Sequence, residues 1–314
     1  MVNNSLRQLR WRVRNGRQSH FEAFGAAGRV EYLLTTIAYT RGQQEGLAGG
    51  MGVITAIRTY RALRASTPKH PRHDDVFLVE FPKSGVTWLS TMVANLALME
   101  SGRSERATFG SVPFYVPDIH KQRDFGDLLY DRPASRFIKS HSVFNPAYRS
   151  SVYLVRNPID VMKSFYNYSR SYQYGYTGDF PSFVRSKKYG VSKWQEHIRS
   201  WLVRVPTDER VMVLRYEDMR KDAGAELRRI ADAFGWAVDP ANVAEAVRCS
   251  GMAEMSANEE LFARYQSTVQ GRFVGQPFKE AVPTELKQWI AAACREELAM
   301  LGYEASDEGD IRAA

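Results

Sequence analysis

Only two cysteines, Cys249 and Cys294, occur in 314 residues. That is too few for a disulfide framework, so a reducing, cytoplasmic setting is expected. The six histidines are scattered, and neither C-x-x-C nor H-E-x-x-H occurs, so no metal site is expected. The chain has no apolar run near the roughly 20 residues a bilayer crossing needs. Its longest mild stretch, GLAGGMGVITAI at 46–57, is short and glycine-rich. Residues 1–20 lack the apolar centre of a secretory signal. There is no internal repeat, no low-complexity tract and no G-x-x-x-x-G-K-[ST] phosphate loop.

What is there fits a folded globular protein, with 44% apolar and 12% aromatic residues. The charge is unevenly spread. Residues 1–73 carry 12 Lys and Arg against 3 Asp and Glu, while the other 241 carry 31 against 32. A basic, partly helical N-terminal extension (1–73) is therefore expected ahead of a nearly neutral domain (74–304), with 305–314 as a frayed C-terminal tail. In VITAIRTYRALRAS (53–66), Ile54, Ile57 and Tyr60 share one helical face and Arg58, Arg61 and Arg64 another. Two readings stay open: a helix packed on its own domain, or peripheral contact of residues 1–65 with an anionic membrane. Nucleic acid is not an expected partner of a core so close to neutral.

From residue 75 strands and helices alternate. DVFLVEF (75–81), SRFIKSH (135–141), SSVYLVRN (150–157) and RVMVLRYED (210–218) read as strands, the first almost wholly apolar. Helices are expected at 87–100, 157–170, 192–205, 223–235 and, as one long element, 283–301. STPKHPRHDD (66–75) reads as a linker. This alternation predicts an α/β domain with a central parallel sheet flanked by helices. Ligands of such sheets sit at the carboxyl ends of the strands. Chemistry converges there: Lys83 with Ser84, Lys139 with His141, Arg156, and Tyr216 with Glu217.

The stretch FPKSGVTW (81–88) joins an apolar strand to a helix. Gly85 lets the backbone approach an anion, the first helical amides are unpaired donors, and Ser84, Thr87 and Lys83 add hydroxyls and a charge. Arg156 ends a strand and Ser164 follows two helical turns later, so both can grip one phosphate; the bland alternative pairs Arg156 with Asp160. His141 suits proton transfer near neutral pH, unless local backbone simply satisfies it.

Together these stretches resemble the sulfotransferases that use 3′-phosphoadenosine-5′-phosphosulfate (PAPS), especially the cytosolic type. FPKSGVTW is similar to the family's 5′-phosphosulfate loop, VRNPIDVMKSFYNY (155–168) to its 3′-phosphate segment, KSH (139–141) to its K-T-H, and LRYEDMRKDAGAELRRIADAFG (214–235) to its Y-E-D segment. The resemblance covers about 75–301 and implies a single P-loop-like domain that transfers a sulfuryl group in line from PAPS to a hydroxyl or amine, without a metal. It implies His141 as base, Lys83 on the departing phosphate oxygen and Lys139 near the sulfonate. Lys83, Ser84, Gly85, Val86, Thr87 and Trp88 would hold the 5′ end, Arg156 and Ser164 the 3′-phosphate, and Tyr216, Ser250 and Met252 the adenine side. Three departures stand out. Val86 replaces a threonine, Met252 stands where a stacking phenylalanine is usual, and the C-terminal glycine-rich segment is degraded to QGRFVGQPFKE (270–280), leaving Arg272 as a 3′-phosphate contact.

The acceptor implied is a small molecule, a glycan or a glycolipid, with the Tyr- and Gly-rich 171–190 lining its cleft; a homodimer fits the family. Two alternatives remain: a kinase-like enzyme using the loop for another anion, and a non-catalytic nucleotide-binding protein at a membrane surface.

Overall fold

The computed structural model describes residues 61–125, 135–170, 175–202, 210–265 and 278–313. The chain divides into two units, 1–62 and 63–314, and nearly all the described residues belong to the second. The proposed membrane-facing extension thus lies almost wholly outside the described residues.

Four parallel strands form the central sheet: β1 (Asp75–Glu80), β2 (Arg136–Ser140), β3 (Ser150–Val155) and β4 (Val211–Arg215), in the order β2-β1-β3-β4. All six residues of β1 are buried, as an apolar strand covered on both faces requires. Alternate residues feed two cores. Val76 and Leu78 join Val152, Leu154 and Leu214 beneath helix α1 (Val86–Glu100). Phe77 and Val79 join Tyr153 and Val155 on the other face, under α3 (Pro158–Ser169) and α5 (Val191–Leu202). Since the helices after β1 and β3 cover opposite faces, the crevice between the carboxyl ends of these strands is where a ligand belongs.

Local signals hold in the structure. Asn157 caps α3, its side chain accepting from the Ile159 amide, and Pro158 takes the first helical position. Gly235, with φ 66°, closes α7 (Ala223–Ala233).

Three readings are corrected. The stretch 66–75 is no linker: Ser66 is buried, Asn145 Nδ2 donates to Ser66 Oγ, and Tyr148 Oη donates to the Ser66 carbonyl at 2.8 Å. The expected helix 283–301 is two, α10 (Thr284–Ala293) and α11 (Arg295–Met300), meeting at Cys294. The break accompanies burial of Glu297 against Arg199 of α5. The tail is not frayed. β5 (Tyr303–Ala305) pairs antiparallel with β6 (Ile311–Ala313), burying Tyr303 and Ile311. Asn157 Nδ2 donates to the Ile311 carbonyl at 2.8 Å and Tyr303 Oη to Glu217 Oε2 at 2.6 Å. The polar turn concealed two buried apolar residues.

At the other end of the sheet Asp75 and Arg136 form a buried bidentate pair, 2.6 and 2.9 Å. Alanine at Asp75 strands a buried guanidinium and also removes the acceptor of the Arg72 amide. It is therefore expected to destabilise the domain by about 3–5 kcal/mol in denaturant unfolding.

Candidate functional site

The loop after β1 is built for close approach. Lys83 adopts φ 77°, uncommon for a side-chain-bearing residue, and Gly85 follows at φ 117°. A Cβ on Gly85 would lie 2.5 Å from Tyr216 Cδ2, so the position excludes any side chain. Helix α1 starts at Val86 after Gly85, which has no side chain to cap it, and has no acidic residue in its first turn; the Val86 amide donates instead to Glu80 Oε2 at 2.7 Å. Ser84 is buried, its hydroxyl donating to the Phe81 carbonyl at 2.9 Å, so it braces the loop. Val86 sits in the core, which explains why a valine is tolerated where the family loop has threonine. Thr87 and Trp88 are half-buried beyond it.

Arg156 follows β3 and lies over this loop. It donates to the Lys83 carbonyl at 3.3 Å, and its guanidinium rests 4.2 Å from the centre of the Tyr216 ring, which meets Trp88 edge-on at 5.8 Å. Its Nε–H is buried without a hydrogen-bond partner. Leaving such a donor unpaired costs about 1–3 kcal/mol or more, so the arrangement suits an incoming anion. The Asp160 alternative is not what the structure has: the Arg156 guanidinium meets the Lys83 carbonyl and the Tyr216 ring, and Asp160 pairs with Lys163 at 3.2 Å. Ser164 is half-buried on α3. One turn further, the Tyr168 ring lies 4.5 Å from Lys83 Nζ, so this helix face looks at the loop.

The base candidate stands beside the same loop. β1 and β2 pair Val79 with Ser140, which sets Glu80 next to His141. His141 Nδ1 lies 3.7 Å from Glu80 Oε1. The His141 amide donates to His120 Nε2 at 2.9 Å, the His120 amide to Asp118 Oδ1 at 3.0 Å, and Asp118 Oδ2 stands 3.5 Å from Lys139 Nζ. His120 Nε2, being an acceptor, is unprotonated, so His120 braces His141 rather than sharing its role.

Burial, then the charge of Lys139, pushes His141 down to about 3 against the opposing pull of Asp118. The side chain keeps 27% of its surface open, so water offsets part of that shift; the direction leaves a neutral, accessible imidazole at pH 7. Burial likewise lowers Lys83, against the attraction of Glu80, and raises Glu80, against the Val86 amide and Lys139. Burial would raise Asp118, but Lys139 and then His141 outweigh it and hold it low.

Not every expected residue joins this cluster. Ser250 is wholly buried, its hydroxyl donating to the Ala246 carbonyl at 2.7 Å and accepting from Asn95 Nδ2 at 3.0 Å, a tie between helices. Met252 is exposed at the start of α9 (Met252–Tyr265). Glu217 turns away to accept from the Asn157 amide and Tyr303. Arg272 and 171–174 lie outside the described residues. Of the rest of 171–190, Phe180 and Phe183 are core residues packed with Tyr166. Sequence reasoning missed Glu80, Asp118, His120 and Tyr168. For Glu80 the available signal was an acid inside an otherwise apolar strand.

The sequence model described as the sulfotransferase domain matches residues 73–299. The chain belongs to the sulfotransferase family. Mouse Sulfotransferase 2B1 is 28% identical over 207 residues, which cover 62% of this chain and 60% of that protein. The chain therefore spans about three-fifths of that relative's length. Among solved structures, retinol dehydratase in complex with androsterone and the inactive cofactor PAP superposes with a TM-score of 0.55 at 18% identity, covering 73% of this chain and 82% of that one. Mouse sulfotransferase SULT7A1 complexed with PAP gives 0.52 at 21%, covering 76% and 92%. At such identities the likeness shows a shared fold. Among its described residues the chain has no helix long and apolar enough to cross a membrane.

Proposed function

We propose that the chain transfers a sulfuryl group from PAPS to the hydroxyl or amine of a small-molecule, glycan or glycolipid acceptor. The observation that carries this reading is the buried, unpartnered Arg156 Nε–H above a lysine-bearing loop, with a neutral histidine on the adjacent strand end. Arg156, with Ser164 on the neighbouring helix face, would hold the 3′-phosphate. Lys83 and the loop from Ser84 to Trp88 would hold the 5′ end, with Tyr216 and Trp88 on the adenine side. His141 takes the acceptor proton as the acceptor oxygen or nitrogen bonds to sulfur. The sulfur–oxygen bond to the 5′-phosphate breaks, and Lys83 stabilises the charge growing on that oxygen. Lys139 would neutralise the sulfonate. Donor and acceptor end as 3′,5′-adenosine bisphosphate and a sulfate ester or sulfamate.

Transfer of labelled sulfate from PAPS across a panel of phenols, amines, glycans and glycolipids tests the activity. Its pH dependence adds a sharper test. A histidine whose pKa is depressed stays deprotonated, and competent as a base, to lower pH. The acid limb of kcat/KM is thus expected well below the ordinary histidine value near 6.5. Transfer that fails to appear for any acceptor, or a limb at 6.5 or above, contradicts this reading. Homodimer formation and membrane contact through residues 1–65 are further expectations, open to sedimentation and vesicle-binding measurements.

A further inference from the structure

Glu80 is the more deeply buried of the cluster's two carboxylates, and the proposed mechanism leaves it unused. It ends β1, is 3% exposed, and spans two parts of the site. Oε2 accepts the Val86 amide at 2.7 Å, while Oε1 accepts the Lys83 amide at 3.2 Å and faces His141 Nδ1 at 3.7 Å. That nitrogen is buried and has no hydrogen-bond partner. His141's backbone amide is held separately by His120, so the imidazole is oriented by whatever meets Nδ1. The facing groups are few. Lys83 and Lys139 act on Glu80, while Lys139, Asp118, His120 and the backbone of Glu80 itself act on His141.

We propose that Glu80 is the positioning residue of the base. Its Oε1 accepts the Nδ1–H of His141, which fixes the tautomer that leaves the Nε2 lone pair free for the acceptor proton. The carboxylate then faces the imidazolium that forms when that proton arrives. A small rotation of either side chain closes the 3.7 Å gap to a hydrogen bond, and catalytic contacts of this kind often tighten only with substrates bound. Because the same carboxylate holds two amides of the donor loop, it also fixes the base relative to that loop. The proposal rests on His141 being the base.

Glu80→Gln is the decisive variant. The glutamine oxygen can keep the shorter bond, from the Val86 amide, while its NH2 faces Nδ1, demands an acceptor there and leaves the Lys83 amide without one. The histidine must then carry its proton on Nε2. In the full-length protein labelled with 15N-histidine, wild type is expected to show His141, assigned by its loss in His141→Ala, with Nδ1 protonated. Glu80→Gln is expected to show it with Nε2 protonated. Transfer at saturating donor is expected to fall about a hundredfold or more, well beyond any loss of bisphosphate affinity from the freed Lys83 amide, and Glu80→Gln in a His141→Ala background should cost little further transfer. An unchanged tautomer in Glu80→Gln, or losses that multiply in the double variant, overturns the role of Glu80. The tautomer signal needs no turnover, so it judges Glu80 even if the donor or acceptor reading fails. His141→Ala retaining full transfer would instead sink the base assignment.

Discussion

Alanine at His141 is expected to lower kcat for sulfuryl transfer by about 10²–10⁴-fold while the affinity for 3′,5′-adenosine bisphosphate stays within a few-fold, because general-base catalysis contributes about that much. Geometry favours this residue before titration does. His141 follows β2 directly, its backbone is anchored by the His120 acceptor, and 27% of its side chain remains open. Burial and Lys139 keep it neutral. No neighbouring side chain in the cluster replaces it: Lys139 is paired to Asp118, and His120 spends its lone pair on the His141 amide. Steady-state kinetics with saturating donor, alongside equilibrium binding, separate this loss from a folding defect.

The second large effect is expected at Lys83. In the proposed mechanism, removing its ammonium takes away the positive charge that stabilises the phosphate oxygen departing from sulfur. One lost transition-state donor in a buried site costs about 10²–10³ in kcat. Lys83→Ala should show that loss, and single-turnover rates would locate it in the chemical step. Arginine is not expected to rescue it. The ammonium sits over Tyr168 at 4.5 Å on a backbone held at φ 77°, where a planar guanidinium has a different reach. The strain of that backbone is itself informative, since sparsely populated conformations persist where surrounding structure enforces them.

Much of this was legible in the sequence, for identifiable reasons. An unbroken apolar run such as VFLV states that β1 is covered on both faces, and an Asn-Pro start states where α3 begins. Residues bound to strand ends were also legible, because the parallel sheet carries Lys83, His141, Arg156 and Tyr216 to one edge. Side chains whose role depends on register or on another segment were not. Glu80 acquires its meaning only when β1 and β2 pair Val79 with Ser140. Asp118 reaches Lys139 across an isolated bridge, and Tyr168 reaches Lys83 from a separate helix. Ser250 looked like a nucleotide contact by likeness, yet its hydroxyl is spent between Ala246 and Asn95. The C-terminal hairpin was hidden because its buried residues, Tyr303 and Ile311, stand apart on either side of a polar turn.

The proposed function stands or falls on whether Arg156 and the loop beside it grip a 3′-phosphorylated adenine nucleotide. Calorimetric titration with 3′,5′-adenosine bisphosphate, 5′-AMP and ATP, on wild type and Arg156→Ala, decides that. Tight binding of the bisphosphate is expected, with AMP and ATP roughly tenfold weaker or more. Arg156→Ala is expected to lose at least about tenfold, since a charge-assisted hydrogen bond contributes about 1.5–3 kcal/mol. Equal binding of all three nucleotides, or bisphosphate binding indifferent to Arg156, would overturn the proposed grip.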